Sequence, residues 1–83
     1  MSEKKGVKVA VEIYGDTYPL KTDNPEHLRE LARIVDSHMR SVAHRMRILS
    51  GAKIGVLAAM EIADDYLKLK KDYDDLMQLL DDK

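Results

Sequence analysis

The stretch that decides the fold is Ile54–Leu80, which reads IGVLAAMEIADDYLKLKKDYDDLMQLL. Its first part, Ile54–Ala63, is apolar on every side of a helix apart from Glu61, and a helix that is apolar all round must be buried all round. No proline interrupts the stretch, and good helix formers such as Leu, Ala, Met and Lys dominate it. The pattern predicts one continuous helix from Ala52 to about Asp82.

The second part of the stretch carries a heptad seam, whose residues recur at spacings of four and three, as they do where one helix packs against another. The seam consists of Ile62, Tyr66, Leu69, Tyr73, Leu76 and Leu80. A helix of about 30 residues is about 45 Å long, more than the rest of so short a chain could cover. We therefore expect the chain to self-associate through the seam together with Ile54, Leu57, Ala58 and Met60.

Length and composition indicate one small domain. The chain has 83 residues, of which 45% are hydrophobic, enough to fold but too few to fold comfortably alone. It contains no cysteine, which excludes disulfides and thiolate zinc sites. Neither an apolar run typical of a signal peptide nor an apolar stretch of roughly 20 residues is present. The sequence therefore predicts a cytoplasmic protein that does not associate with membranes.

The N-terminal part predicts a β-hairpin. Val7–Ile13 has a valine or isoleucine at every second position, Gly15-Asp16 is suited to a two-residue turn, and Thr17–Thr22 returns as a second strand. That turn would pair Ile13 with Tyr18, Val11 with Leu20 and Glu12 with Pro19. Because a two-stranded hairpin is marginal in water, it must lie against a helix or extend into a larger sheet with a second copy.

Asn24-Pro25-Glu26 is typical of a helix start, with asparagine as the N-cap and proline at the first helical position. Near Leu49, either Gly51 ends this helix as a left-handed C-cap or Ser50 begins the next one as its N-cap. Such a short link favours a helical hairpin, with a splayed pair or a nearly continuous rod as alternatives. The first helix carries an apolar stripe within about 120° of its circumference: Leu28, Leu31, Ala32, Val35, Met39, Val42, Ala43 and Met46.

The spacing of the titratable residues does not predict a metal site or a catalytic site. His27 and His38 share one side of the first helix but stand about 16 Å apart, too far to chelate one ion, and His44 points elsewhere. We expect all three histidines to be solvated. There is no Ser/His/Asp set and no glycine loop that cradles phosphate. The sequence therefore predicts no enzyme activity, no metal, no cofactor and no small-molecule substrate.

Adjacent aspartates occur three times along the second helix, at residues 64–65, 74–75 and 81–82. Neighbouring residues point about 100° apart on a helix, so these carboxylates do not converge on one site. With Lys68, Lys70 and Lys71 they are predicted to form a solvated flank of the seam.

Charge is distributed unevenly along the chain despite a net charge of −1. Residues 25–53 contain six basic and three acidic side chains, whereas residues 61–83 contain eight acidic and four basic ones. A basic ridge on the first helix consists of Arg29, Arg33, Arg40, His44 and Arg47, interrupted by Asp36. Because arginine suits bidentate carboxylate contacts, this ridge is the candidate partner-binding surface. The alternative is a solvated flank with internal pairs such as Asp36 with Arg40.

Three motifs follow one another along the chain. They are Val11-x-Ile13-x-Gly15-x-x-Tyr18-x-Leu20, an Asn24-Pro25-Glu26 helix with Leu31-Ala32 and Val35-Asp36, and Leu57-Ala58-Ala59-Met60-Glu61-Ile62-Ala63-Asp64-Asp65. Together they resemble the bacterial cell-division family ZapA, from Val7 to about Leu69. Two features depart from that family. Met60-Glu61 stands where Leu-Asn is common, and the terminal helix is short.

The elements predict an α+β chain, an N-terminal β-hairpin followed by two α-helices, the second long and ending in a short coiled coil. We expect a globular head over residues 1–63 and a coiled-coil extension over residues 64–83. The resemblance implies a non-enzymatic protein that binds the tubulin-like GTPase FtsZ and cross-links its filaments at the division site. It also implies a homodimer that associates further into a tetramer, and a cytoplasmic location at the division site.

Two other functions are compatible with the same residues. A small homodimeric nucleic-acid-binding protein would use the basic ridge and bind with steep salt dependence, but the acidic second helix and the lack of interleaved aromatic and basic residues disfavour it. A generic coiled-coil adaptor for another protein would use the same seam.

Overall fold

The structure is a computed structural model and describes residues 6–47 and 50–82. Its elements are β1 (Val7–Ile13), β2 (Asp16–Thr22), α1 (Pro25–Arg45) and α2 (Gly51–Asp81). The two strands form an antiparallel hairpin and the two helices follow it, which confirms the predicted α+β class. Leu49, residues 1–5 of the predicted head and Lys83 of the predicted coil lie outside the described residues.

The hairpin turns at Tyr14 and Gly15, so the predicted turn at Gly15-Asp16 was wrong. Both turn residues have positive φ, 50° and 85°, which is the combination that a type I′ turn requires. The pairs are Ile13 with Asp16, Val11 with Tyr18, Ala10 with Pro19 and Val9 with Leu20, a register shifted by two from the predicted one. This register pairs all seven residues of each strand. Because side chains alternate with a period of two, the shift leaves the predicted apolar residues on one face.

Both helices begin at side-chain caps. The Asn24 side chain accepts a hydrogen bond from the His27 N–H at 3.2 Å, and Pro25 is the first residue of α1, as predicted. At the junction Ser50 acts as the N-cap, since its hydroxyl accepts from the Lys53 N–H at 3.3 Å. The structure therefore selects the Ser50 alternative, and α2 agrees with its predicted bounds to within one residue.

The core is small and has α1 at its centre. Val42 of α1 is fully buried together with Ile54 and Ala58 of α2. Nearer the start of α1, Val11 and Ala32 are buried where β1 packs against α1. Thus α1 joins the hairpin to the first turns of α2, and the two helices form a helical hairpin rather than one continuous rod.

The rest of α2 projects from this core. Every described residue from Ala63 onward is exposed, and the molecule measures 50 × 46 × 14 Å. The 31 residues of α2 correspond to about 46 Å of helix. In the described part of the chain, neither helix combines the length and the apolar character needed to cross a membrane.

Replacing Gly15 by alanine should lower the free energy of unfolding by about 1–2 kcal/mol, because a Cβ at positive φ crowds the following carbonyl. Urea unfolding at one protein concentration, followed by circular dichroism, measures this change. Gly51→Ala is the matched control because, among the described residues, the added Cβ meets nothing within 4 Å beyond its chain neighbours and the backbone of its own helix. At this helical position alanine should leave stability unchanged or raise it by up to about 1 kcal/mol. Equal midpoints for the two variants would contradict the role of the turn.

Candidate functional site

The basic ridge is exposed, but only four of its five residues lie on α1. Arg29, Arg33, Arg40 and His44 lie on α1. The prediction that Arg47 also belongs to the helix was wrong, because α1 ends at Arg45 and Met46 is its C-cap. Arg47 therefore lies in the turn beyond the helix.

Arg40 takes part in an internal contact that links α1 to the hairpin turn. Its Nε donates to Asp36 Oδ2 at 2.9 Å, and its guanidinium lies 5.8 Å from the centre of the Tyr14 ring. Asp36 Oδ1 accepts the Tyr14 backbone N–H at 2.6 Å. The Tyr14 hydrogen bond, and then Arg40, lower the pKa of Asp36 below its ordinary value. At this position the structure contains the internal pair that the sequence offered as the alternative.

Arg29 and Arg33 border a groove between β1 and α1, which we call the arginine groove. It has a volume of about 300 Å³. Its walls are formed by Ala10, Val11, Glu12, Arg29, Ala32, Arg33 and Asp36. Arg33 pairs with Glu30 one turn away, but both side chains remain more than half exposed. Within the described residues Arg29 forms no ion pair, so Arg29 and Arg33 are more available to a partner than Arg40, which Asp36 and the Tyr14 ring already contact.

A polar cluster that the sequence analysis missed joins the two helices. His38 Nδ1 lies 3.1 Å from Glu61 Oε1, and His38 Nε2 lies 3.7 Å from Asp65 Oδ2. Arg45 also pairs with Glu61. His38 is only about a quarter exposed, so the prediction that all three histidines are solvated was wrong for His38.

Glu61 explains why this cluster forms. It is the single acidic residue in an otherwise apolar stretch, and a charge placed there must be paired or hydrated. His38, and then Arg45, lower the pKa of Glu61 below its ordinary value. The isolated charge was the signal that could have predicted a partner on α1. In the described part of the chain, no three His, Asp or Glu side chains are arranged to hold a metal ion.

The predicted self-association residues fall into two groups. Ile54 and Ala58 are buried against α1 in the same chain, and Leu57 and Ile62 are partly buried. The others are more than half exposed: Met60, Tyr66, Leu69, Tyr73, Leu76 and Leu80. A second stripe was missed by the sequence analysis. It consists of Val56, Met60, Ala63 and Leu67, which recur at helical spacing and are all exposed.

The charged residues beside the seam form pairs along α2. Lys68 contacts Asp64, Lys70 contacts Asp74 and Lys71 contacts Asp75, at 3.0–3.2 Å and at the spacing of one helical turn. All six side chains are exposed, so they form the predicted solvated flank of the seam.

The sequence model of a family described as cell division protein ZapA matches residues 9–83. The chain belongs to the ZapA family. The cell division protein ZapA of Geobacillus sp. (strain WCH70) is 41% identical over 81 residues, covering 96% of this chain and 93% of the relative. ZapA of Bacillus pumilus (strain SAFR-032) is 38% identical over 84 residues, covering 100% and 99%.

A solved structure described as a ZapA mutant dimer from Geobacillus stearothermophilus has the same fold. Its TM-score is 0.72 at 37% identity, and the match covers 96% of this chain and 94% of that one. The resemblance stated from the sequence is therefore confirmed, and so is the arrangement of a hairpin followed by two helices.

Asp36→Asn should lower the free energy of unfolding near neutral pH, because the amide cannot carry the charge that Tyr14 N–H and Arg40 stabilise. The folded-state pKa of Asp36 is lowered, so its charge contributes stability above the ordinary aspartate pKa of about 4. That contribution is lost as the pH falls through the folded-state pKa. The difference between the wild type and the variant should therefore shrink in acid.

Urea unfolding from about pH 7 down to about pH 2 measures this difference. Asp74→Asn is the control, since its pair with Lys70 is exposed and should change stability little at any pH. A difference for Asp36→Asn that stays constant across the range would contradict the role assigned to its charge.

Proposed function

We propose that this chain cross-links filaments of the tubulin-like GTPase FtsZ at the division site, as a homodimer or homotetramer and without catalysing a reaction. Membership of the ZapA family supports the role in cell division. The observation that best supports cross-linking is that the seam on the projecting part of α2 is exposed. Such a seam needs a second helix, and a paired helix holds two heads apart.

Cross-linking requires at least two filament-binding surfaces joined by a stiff spacer. A helix of about 46 Å is stiff enough for this purpose, because its backbone hydrogen bonds are internal. Symmetric copies repeat the same contact, so a weak single site gains strength through multivalency. The proposed division into a head over residues 1–63 and a coil over residues 64–83 lies within one residue of Ala63, where the exposed part of α2 begins.

Two apolar surfaces of unequal strength are available for self-association. The second stripe begins beside the head, where another copy could bury Val56 and Met60, which are 61% and 64% exposed. The seam spans fewer than three heptads and includes Tyr66 and Tyr73, whose hydroxyls need water or a partner. We therefore propose a stable dimer formed near the heads and a larger, concentration-dependent species formed through the seam. The ZapA mutant from Geobacillus stearothermophilus, described as a dimer, supports the first step.

The filament-binding surface that we propose is the basic ridge, and Arg29 and Arg33 are its main contact residues. Both are exposed and border the arginine groove. Arg40 contributes less to a partner contact, because Asp36 and the Tyr14 ring already hold its guanidinium. Planar guanidinium groups suit carboxylates on an acidic surface.

Arg33→Glu should reduce co-sedimentation with FtsZ polymers formed in GTP by about tenfold or more, because the reversed charge repels an acidic partner. Lys53→Glu makes the same charge change on the exposed start of α2 and is the matched control. Both variants should show the circular dichroism spectrum of the wild type. Wild-type chain that stays in the supernatant would disprove the proposed function, and equal sedimentation of both variants would move the binding surface away from the ridge.

Leu69→Lys combined with Leu76→Lys should remove the larger species and leave the dimer intact. These side chains are 69% and 55% exposed in one copy, and charging them should lower the constant for pairing through the seam by at least about tenfold. Sedimentation velocity over a range of concentrations measures the distribution of species. Leu79→Lys alters a residue that is 67% exposed but off the seam, so it should have little effect. A monomer of the wild type at micromolar concentration would contradict self-association altogether.

A further inference from the structure

The outer edge of β1 presents unpaired backbone groups. Ile13 and Asp16 flank the type I′ turn and form its hydrogen-bonded pair. Because bonded and non-bonded pairs alternate in an antiparallel ladder, Lys8, Ala10 and Glu12 direct their N–H and C=O groups away from β2. Within the described residues these groups have no hydrogen-bond partner. The edge of β1 is therefore open to a further strand.

The outer edge of β2 is blocked by proline. Pro19 lies opposite Ala10, so it also belongs to a non-bonded pair. Its nitrogen therefore faces the outer edge of β2, where it has no hydrogen to donate. Proline at this position is a common means of preventing strand addition. Of the two edges of the hairpin, only that of β1 offers donors along its middle.

The arginine groove lies beside this open edge and provides charge. At the end of β1, the carboxylate of Asp36 already accepts the outward N–H of Tyr14. Arg29 and Arg33 on α1 stand four residues apart, which is about 6 Å along a helix. Alternate side chains on one face of a strand are about 6.6 Å apart. An extended segment with carboxylates at alternate positions would therefore match the two arginines.

The two carboxylates of the groove restrict how such a segment can lie. Asp36 accepts hydrogen bonds from the Tyr14 N–H and from Arg40, whose positive charge compensates the carboxylate. Glu12 remains exposed and would repel an acidic side chain placed next to it. The acidic residues of the segment must therefore lie on the α1 side of the groove.

We infer that the open edge of β1 and the arginine groove bind an extended acidic segment of a partner protein, which adds to the hairpin as a third strand. Backbone hydrogen bonds to Ala10 and Glu12 hold the segment, and Arg29 and Arg33 select its alternating carboxylates. The identity of the partner rests on the proposed function, under which the segment belongs to the filament protein.

Hydrogen–deuterium exchange of the whole chain tests the added strand directly. Filaments of FtsZ polymerised with GTP are one probe, and a synthetic octapeptide of alternating valine and glutamate is the other. Either probe should slow exchange of the Ala10 and Glu12 amides by about tenfold or more, because each gains a hydrogen bond. The amides of Thr17 and Lys21, which face the outer edge of β2, should exchange unchanged.

A pair of proline variants provides the matched comparison. Ala10→Pro removes an outward N–H from β1, and Thr17→Pro removes one from β2, so neither breaks a bond between the strands. Ala10→Pro should weaken octapeptide binding, measured by fluorescence anisotropy, by about tenfold. Thr17→Pro should bind as the wild type does. The exchange experiment on the wild type needs neither variant, so it decides the matter even if Ala10→Pro fails to fold.

The outcomes separate this inference from the proposed function. Filament binding without protection of Ala10 and Glu12 overturns the added strand and leaves the proposed function intact. If filaments do not bind, the octapeptide still decides, since protection of both amides supports the strand and its absence overturns it. Protection that appears in the chain alone and grows with concentration overturns the inference in favour of a second copy paired at this edge.

Discussion

The packing of Ile54 and Ala58 against Val42 holds the molecule together, because it is the apolar contact that fixes α2 to the rest of the chain. Val42 and Ala58 are both completely buried in this contact. This contact involves only the first turns of α2. From Ala63 onward every described residue of α2 is exposed, so the apolar residues in this part of the helix face solvent in a single copy.

The polar contacts of Glu61 mark where the anchored part of α2 ends. Glu61 meets His38 and Arg45 of α1 and lies at the boundary between the buried first turns and the exposed remainder. A charge at this position keeps the paired helices in register, since any sliding would leave a carboxylate without its partners. The apolar core therefore sets how close the helices lie, and the polar cluster sets how far along each other they pack.

Local features of the sequence predicted much of this fold, whereas contacts between distant residues could not be predicted. Asn24 and Pro25 predict a helix start because asparagine is a common N-cap and proline is common at the first helical position. The heptad spacing of the seam is a pattern within one short stretch of the sequence. The hairpin register was missed because Tyr14 adopts a positive φ with its N–H bound to Asp36, a residue 22 positions away. The contacts of Arg45 and His38 were missed for the same reason. These contacts depend on how α2 packs against α1, and this packing geometry could not be predicted from the sequence alone.

Filament binding and self-association through the seam reinforce each other in the proposed function. Chains bound to one filament are concentrated along it, and a higher local concentration favours a weak helix pair that would dissociate in dilute solution. By thermodynamic reciprocity, paired chains then bind a filament more tightly than single chains do. A marginal seam is therefore better suited to this task than a strong one. Under the proposed function, such a seam would pair where filaments concentrate the chain and would leave the free protein as smaller species that cannot bridge filaments.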